Sequence, residues 1–467
     1  MRSPVGRVTQ NDFGMLTAFA FIVAIAALVV VHELGHYAMA VACGVKVLHF
    51  SVGFGPRLWG WTSPKRGTEF VVAAFPLGGF VKMLDEREGP VDPAQRGMAF
   101  NVQPLRSRSA IVAAGPLANL ALAVLLYAIV HWIGVEQPEP VLSKPSAGSV
   151  FAQAGFSGGE RVQRAGYDAD NLQPVLSFED VRWWLTHGAL EHRDITLEYA
   201  QANHRSPKLA RIPLGTLEHD RIDASLFQKI GVSTPFSQAR LEGLVEGAAA
   251  SEAGLRAGDV VERVDGVVMQ DAAQLRELIR LSGRDGQVKS QMWQVRRAGA
   301  LQEIAVTPRV ESDKGVSIGR VGAYIGAPVA LVLVRYGVVD GLVRAVERTW
   351  DVSALTLQMM GKIVVGDASI RNLSGPITIA EYAGKSAAIG FTSYVLFLAL
   401  ISVSLGVLNL LPVPVLDGGH LLYDVWEWIS GKPVPDSWME NLQRVGFAML
   451  LLLMSVAVFN DVTRLLG

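Results

Sequence analysis

The chain has 467 residues, 50% of them apolar and 18% charged. That is too long for one compact domain and too apolar for an ordinary soluble protein. A formal net charge of -1 supplies no basic field of the kind that DNA or RNA binding needs, which leaves membranes and proteins as partners. The single cysteine, Cys43, cannot pair within the chain and reads as a small buried apolar residue.

Four stretches are apolar over the roughly 20 residues that a membrane-spanning helix needs: 13–38, 109–133, 391–412 and 441–459. The first follows Arg2 and Arg7, as a signal peptide would. It is too long for a signal h-region and ends in ionisable residues, not in a small-residue cleavage site, so it reads as a retained helix. Its last turns are "LVVVHELGH", residues 28–36, and such residues are costly in hydrocarbon. On a helix, His32 and His36 project from one face, which suits two imidazoles on a tetrahedral Zn²⁺. Glu33 lies on the neighbouring side of the same turn, where it can take a proton from an attacking water without being a ligand. Two interfacial histidines and a helix-end glutamate would give the same letters; the apolar setting favours a paired or metal-bound cluster.

The loop to the second span carries basic residues from Lys46 to Arg108, which places it in the cytoplasm. Both termini, and everything between spans two and three, then face the periplasmic side. Between spans three and four only Lys432 is basic, and there the even number of spans carries the orientation. Within the first loop, "PRLWGWTSPKRGTEFVVAAFPLGGFVKML" reads as a β-hairpin with "SPKRG" at its tip, followed by a further extended piece. Its strands are apolar enough to pack on the helices or to dip into the bilayer beside them; at that depth the edge groups need protein or a hydrated cavity around them.

From about 137 to 310 the chain turns polar and Gly-rich, and it repeats. "AGFSGGERVQRAG" at Ala154–Gly166 aligns with "AGLRAGDVVERVDG" at Ala253–Gly266, an offset of roughly 99 residues and a domain-sized period. Two α/β domains, 137–222 and 223–310, are expected. The second resembles bacterial, circularly permuted PDZ domains. That likeness implies that Ile230, Gly231 and Val232 of "KIGV" form the loop that holds a peptide's terminal carboxylate, with the peptide added as a strand. The first copy departs from the pattern, with Glu160 in place of Asp259 and Ala165 in the second "DG" position. The segment 311–390, interrupted by Arg335, Asp340, Arg344 and Glu347, reads as an amphipathic helix on the membrane surface.

A zinc site needs another protein ligand and an open position. "LGVLNLLPVPVLDGGH" at the end of the third span supplies Asp417, with His420 as a rival and a helix N-cap as the plain structural role for Asp417. Pro412 and Pro414 stop a helix there, while Gly418 and Gly419 let the chain turn back.

HExxH in the first span, "GPLAN" opening the second, the tandem PDZ-like repeat and "NxxPxPxxDGG" at the third together resemble the site-2 protease family of intramembrane zinc metalloproteases. The likeness is strongest to its bacterial sigma-E-regulating branch. It implies a multi-pass α-helical membrane protein of four transmembrane helices, residues 1–136 and 391–467, with a membrane-associated β-hairpin and two inserted PDZ-like domains. It implies that His32, His36 and Asp417 bind Zn²⁺ and that Glu33 is the base. Asn409 would hold the substrate backbone, and Gly78, Gly79 and Phe80 would pair with it as an added strand. "SVGFGP" and "GPLAN", with Asn119, are given only packing or substrate-access roles. The implied substrate is an anti-sigma factor, a single-pass protein of the bacterial inner membrane already cut on its periplasmic side, with remnant signal peptides as a second class. The implied partners are that substrate, peptide C-termini at the PDZ-like domains, and the lipid bilayer. Two alternatives are a multi-span HExxH protease of another type, whose third ligand is usually a glutamate, and a non-enzymatic PDZ scaffold.

Overall fold

A computed structural model of the chain describes residues 10–201, 206–217, 224–232, 234–284, 286–313, 316–365 and 375–466. Arg2, Arg7 and the expected boundary at 222/223 lie outside them. The chain forms two compact units, one of residues 1–134 and 335–467, the other Val135–Val334.

In the first unit, α1 (Gln10–Ala42) leads into two long strands, β1 (Val47–Thr62) and β2 (Glu69–Met83), and then into α2 (Leu105–Ile133). The turn between the strands holds "SPKRG", as the sequence reading expects. Both strands bend, so that two strands make four rungs. Phe50 to Val52 pair with Val81 to Gly79 in antiparallel order, Arg57–Thr62 pair with Ala73–Glu69 likewise, and His49–Val52 lie beside Glu69–Val72 with pairs that ascend together. Residues 79–83 therefore form one edge of this small sheet and 57–62 the other.

The second unit opens with β3 (Val135–Pro138) and α3 (Val150–Gln153). A sheet of β4 (Arg161–Gly166), β5 (Gln173–Pro174), β6 (Ile195–Ala200) and β7 (Lys208–Ile212) follows, in the order β5-β4-β6-β7, with α4 (Phe178–Leu190) inserted and α5 (Ala224–Ile230) after it. After β8 (Leu241–Leu244) and α6 (Ala249–Glu252) the plan recurs. β9 (Val260–Val264), β10 (Val267–Val268), β11 (Gln291–Arg297) and β12 (Ala300–Val306) take the order β10-β9-β11-β12 around α7 (Ala272–Leu281). Each copy caps its helix with a buried side chain, Ser177 for α4 and Asp271 for α7. The sequence repeat is thus a repeat of topology.

The domain boundaries need correction. Leu226, Ile230 and Val232 are fully buried in the first domain's core, with Phe151, Leu185 and Ile195, and do not belong to the second domain. Gly231 donates its N–H to Phe227 O and lies against Ser149. The "KIGV" stretch is therefore core and helix end, and its apolar side chains are spent there. The unit also runs beyond residue 310. After the hairpin β13 (Arg309–Asp313) and β14 (Val316–Arg320), Val321 completes the second core, β15 (Ala323–Ile325) pairs with β8, and β16 (Leu331–Val334) pairs with β3.

The chain then returns to the first unit. In α8 (Val338–Val365), Gly341, Ala345, Thr349 and Val352 form a buried stripe at helical spacing. Gly341 meets Trp132, Ala345 and Val352 join a core with Ala123 and Tyr127 of α2, and Val339, Val346 and Trp350 are left exposed. The segment is amphipathic, as its sequence suggests, and its inner face is protein-covered. Next come α9 (Pro376–Ile389), α10 (Phe391–Asn409), α11 (Asp417–Ser430) and α12 (Asp436–Leu466). Among the described residues, four helices are long and apolar enough to cross a membrane: Gly14–Ala42, Leu105–Ile133, Phe391–Asn409 and Ser437–Arg464. Buried Asp461 of α12 caps α9, accepting from the N–H groups of Gly375, Ile377 and Thr378 at 3.0–3.1 Å.

Asp259 and Glu160 occupy equivalent turns and solve the same burial problem differently. Glu160 accepts from the backbone of Ser157 and Gly158 and from the Ser157 hydroxyl. Asp259, 1% exposed, accepts from the Arg256 N–H at 2.8 Å and from Nε and one Nη of Arg297 at 2.8 and 2.7 Å. Burial works to raise the Asp259 pKa, but the Arg297 hydrogen bonds, the Arg256 N–H and the positive charges of both arginines together outweigh it and hold the carboxyl below its ordinary range. Its contribution to stability is therefore complete above the unfolded carboxyl pKa of about 3.9 and fades as pH falls through the lower folded value. Asp259→Ala should destabilise the second domain by about 1–3 kcal/mol, because it leaves the Arg256 N–H and the half-buried Arg297 guanidinium without their acceptor. Hydrogen exchange should show lost protection in β9 and β11 while β4 and β6 keep theirs.

Candidate metal centre

The site is built on the first unit alone. His32, Glu33 and His36 lie near the end of α1, about 15 Å of helix rise before Ala42 in the case of His32. All three are largely buried, with Glu33 8% and His36 9% exposed. Two glycines let this turn approach α2. A β-carbon on Gly35 would stand 2.4 Å from Ala114 O, and one on Gly115 would stand 2.2 Å from His36 Nε2. The middle letters of "HELGH" and the first of "GPLAN" thus form one notch, seen from its two sides. In the same turn His36 Nδ1 donates to Ile111 O at 2.8 Å, which leaves Nε2 free to accept or to bind a metal.

Asp417 arrives from the other end of the chain. The α10 helix stops at Asn409, the "LLPVPVL" turn reverses the chain, and α11 begins at Asp417. Its carboxylate caps no helix; Leu416 is the N-cap residue. The two following glycines are needed for space, not for a left-handed backbone. A β-carbon on Gly418 would lie 2.1 Å from Leu411 O, and one on Gly419 would lie 2.4 Å from Val413 O. From α12, Gly446 packs on Pro414 and Val415 and braces the turn.

Asp417 Oδ2 lies 3.2 Å from His32 Nε2 and 3.5 Å from His36 Nε2, and the two imidazole nitrogens are 3.2 Å apart. A tetrahedral zinc with bonds of 2.0–2.1 Å spaces its ligands by about 3.3 Å, so this triangle fits one face of such a tetrahedron. Among the described residues, His32, His36 and Asp417 form the group whose ligand atoms converge in this way. His420 lies three residues on, lines the same cleft and stands edge-on to Tyr423, outside the triad.

The cleft has a volume of about 410 Å³. Its walls include the triad, Glu33, Ile111 and the strand Gly79–Met83, so the hairpin that the sequence marks for substrate does reach the site. Gly79 touches Glu33: a β-carbon there would be 2.9 Å from Glu33 Cγ and 2.7 Å from Ser51 O. Gly78, at φ +125°, faces Phe54, which stacks on half-exposed Phe80. Asn409 ends α10, half-buried, and is not among the residues that line the cleft. Asn119 contributes more than the sequence reading allows. It is fully buried, its side-chain amide meets His32 Nδ1 at 3.2 Å, and its backbone carbonyl accepts from Ser402 Oγ at 2.7 Å. "GPLAN" was the available signal, but nothing in five letters shows which helix the asparagine faces.

Comparison with known proteins agrees with this geometry. The family model for peptidase family M50 matches residues 20–453. A Ralstonia nicotianae protein named as a zinc metalloprotease is 42% identical over 465 residues, covering 97% of this chain and 99% of its own. The Escherichia coli regulator of sigma-E protease RseP is 39% identical over 459 residues, covering 96% and 98%. A Neisseria meningitidis protein, also named as a zinc metalloprotease, is 41% identical over 461 residues, covering 97% and 100%. With a family match across nearly its whole length and relatives aligned from end to end, the chain belongs to peptidase family M50, the site-2 protease family, and is a zinc metalloprotease.

Proposed function

We propose that this protease cuts a peptide bond within or beside the transmembrane segment of single-pass membrane proteins, with His32, His36 and Asp417 as zinc ligands and Glu33 as base. One observation carries the reading: the triad, Glu33 and the edge strand Gly79–Met83 share a single cleft. A helical substrate hides its amides in its own hydrogen bonds and must unwind before attack. Laid along residues 79–83, an extended segment would exchange those bonds for ladder bonds, and the missing side chain of Gly79 lets that strand lie directly against Glu33. Zinc supplies the Lewis acid that polarises the scissile carbonyl and acidifies water. Glu33 takes the proton of the attacking water and returns it to the leaving nitrogen.

Charge bias in the first loop supports a cytoplasmic-side site in the bacterial inner membrane, with both termini and the soluble repeat in the periplasm. Leu58 and Trp59 on the far edge of the small sheet, 70% and 62% exposed, suit hydrocarbon better than water and support a hairpin that enters the bilayer. The Escherichia coli relative is named as a regulator of sigma-E protease, which supports a substrate in sigma-factor control, taken here as an anti-sigma factor. The two repeated domains, read as PDZ-like, would then screen for substrate already shortened in the periplasm. Their removal should let full-length substrate be cut.

Metal content and cleavage of a reconstituted transmembrane substrate test the site. Glu33→Gln should retain zinc and lose about 100- to 10,000-fold in rate. Asp417→Ala should lose zinc, and full occupancy there would sink the ligand assignment. Gly115→Ala drives a methyl group into the His36 ring, so its zinc content should fall while exchange protection in the soluble unit stays unchanged. Normal zinc binding by that variant would mean that the close approach of α1 and α2 does not hold the ligand.

A further inference from the structure

The imidazole nitrogen of His32 that faces away from the triad is in contact with Asn119, and the chemistry of that contact bears on whether His32 can serve as a ligand. Asn119 Nδ2 is 3.2 Å from His32 Nδ1, while Asn119 Oδ1, fully buried, meets no donor. An NH₂ group can only donate. If it donated here, His32 Nδ1 would be the bare nitrogen and the ring proton would sit on Nε2, pointing at His36 and Asp417. That tautomer closes the position where the triad converges. The two ends of an amide have nearly the same shape, and since no donor holds Oδ1 at its present place, turning the group over breaks no hydrogen bond to the oxygen.

We infer that Asn119 is a positioning residue whose amide oxygen accepts the Nδ1–H of His32, so that the Nε2 lone pair points to His36 and Asp417 before any metal arrives. The two histidines are then oriented by the same device from two places on α2. His36 is held by the Ile111 carbonyl at 2.8 Å and His32 by the Asn119 amide, two turns further along. The Ser402 hydroxyl of α10 ties down the backbone of the same residue, so its side chain is presented from a turn held by a neighbouring helix. This explains a buried asparagine in an apolar helix more fully than packing does. Bonded in this way, its oxygen is satisfied and its position follows from the place of the ring.

The inference rests on the ligand assignment proposed above, and its test separates the two. Zinc affinity is measured on purified full-length protein by competition with a chromogenic chelator, and cobalt substitution reports the ligand set through its visible absorption. Asn119→Leu, close in volume but unable to accept, should weaken zinc binding by about 10- to 100-fold and change the cobalt spectrum. Asn119→Asp, which accepts but cannot donate, should bind zinc at least as tightly as the wild type. An aspartate variant as weak as the leucine variant would overturn the inference, because it would mean that the bond runs from the amide N–H to His32. So would a leucine variant with wild-type affinity and spectrum. If the leucine variant fails to fold, the aspartate variant alone decides. His36→Ala serves as the reference: zinc retained in Asn119→Leu but lost in His36→Ala refutes only the positioning role, whereas zinc retained in both refutes the ligand set.

Discussion

Three polar side chains that hydrocarbon cannot solvate have to satisfy one another at one point, and much of the first unit is shaped by that requirement. His32, His36 and Asp417 come within 3.5 Å of each other where α1 lies closely against α2. Gly35 and Gly115 make that contact possible, and neither tolerates a methyl group. The outward-facing ring nitrogens then find partners on α2, at Ile111 and Asn119. Helix packing and ligand geometry are here one constraint, since a shift of α2 would move the notch and the hydrogen-bond partners together.

The third ligand is delivered by a different device. Asp417 stands at the start of a helix, a place where a carboxylate ordinarily caps its own backbone, yet it caps nothing and turns to the histidines. The chain reaches it through a proline-rich reversal so tight that Gly418 and Gly419 abut carbonyl oxygens of the turn. With Gly446 of α12 packed on Pro414, the reversal is fixed from both sides. The same cleft admits the edge of a β-sheet, an element that lipid alone could not accommodate and that a polar cavity can.

The second unit shows how a repeat diverges while its topology persists. Both copies bury an acid at the same turn. One satisfies it with neighbouring backbone and hydroxyl donors, the other with one neighbouring backbone N–H and a guanidinium nearly forty residues away. The second solution makes that domain depend on a long-range ion pair, and the first does not. A substitution that looks like a loss of pattern in the alignment, Glu160 for Asp259, is therefore a change of partner.

Much of this was readable from residues alone, for local reasons. Apolar length marks a span wherever it occurs, an i, i+4 histidine pair faces one way on any helix, and a 99-residue echo reports a duplicated topology without any knowledge of its contacts. The Gly79 strand and Asp417 could be named as partners of "HELGH" because whole motifs recur in a known order. Three matters depended on the packed chain. "KIGV" fell in the first domain's core because Leu226, Ile230 and Val232 fill space beside Phe151, a preference that alternation along the chain does not encode. The glycines of "DGG" serve close approach and not backbone freedom, which only the neighbouring carbonyls reveal. Asn119 became a partner of His32 because two helices far apart in sequence meet at that depth, and a hydrogen bond is decided by which atoms come within 3.2 Å, not by which letters lie nearby.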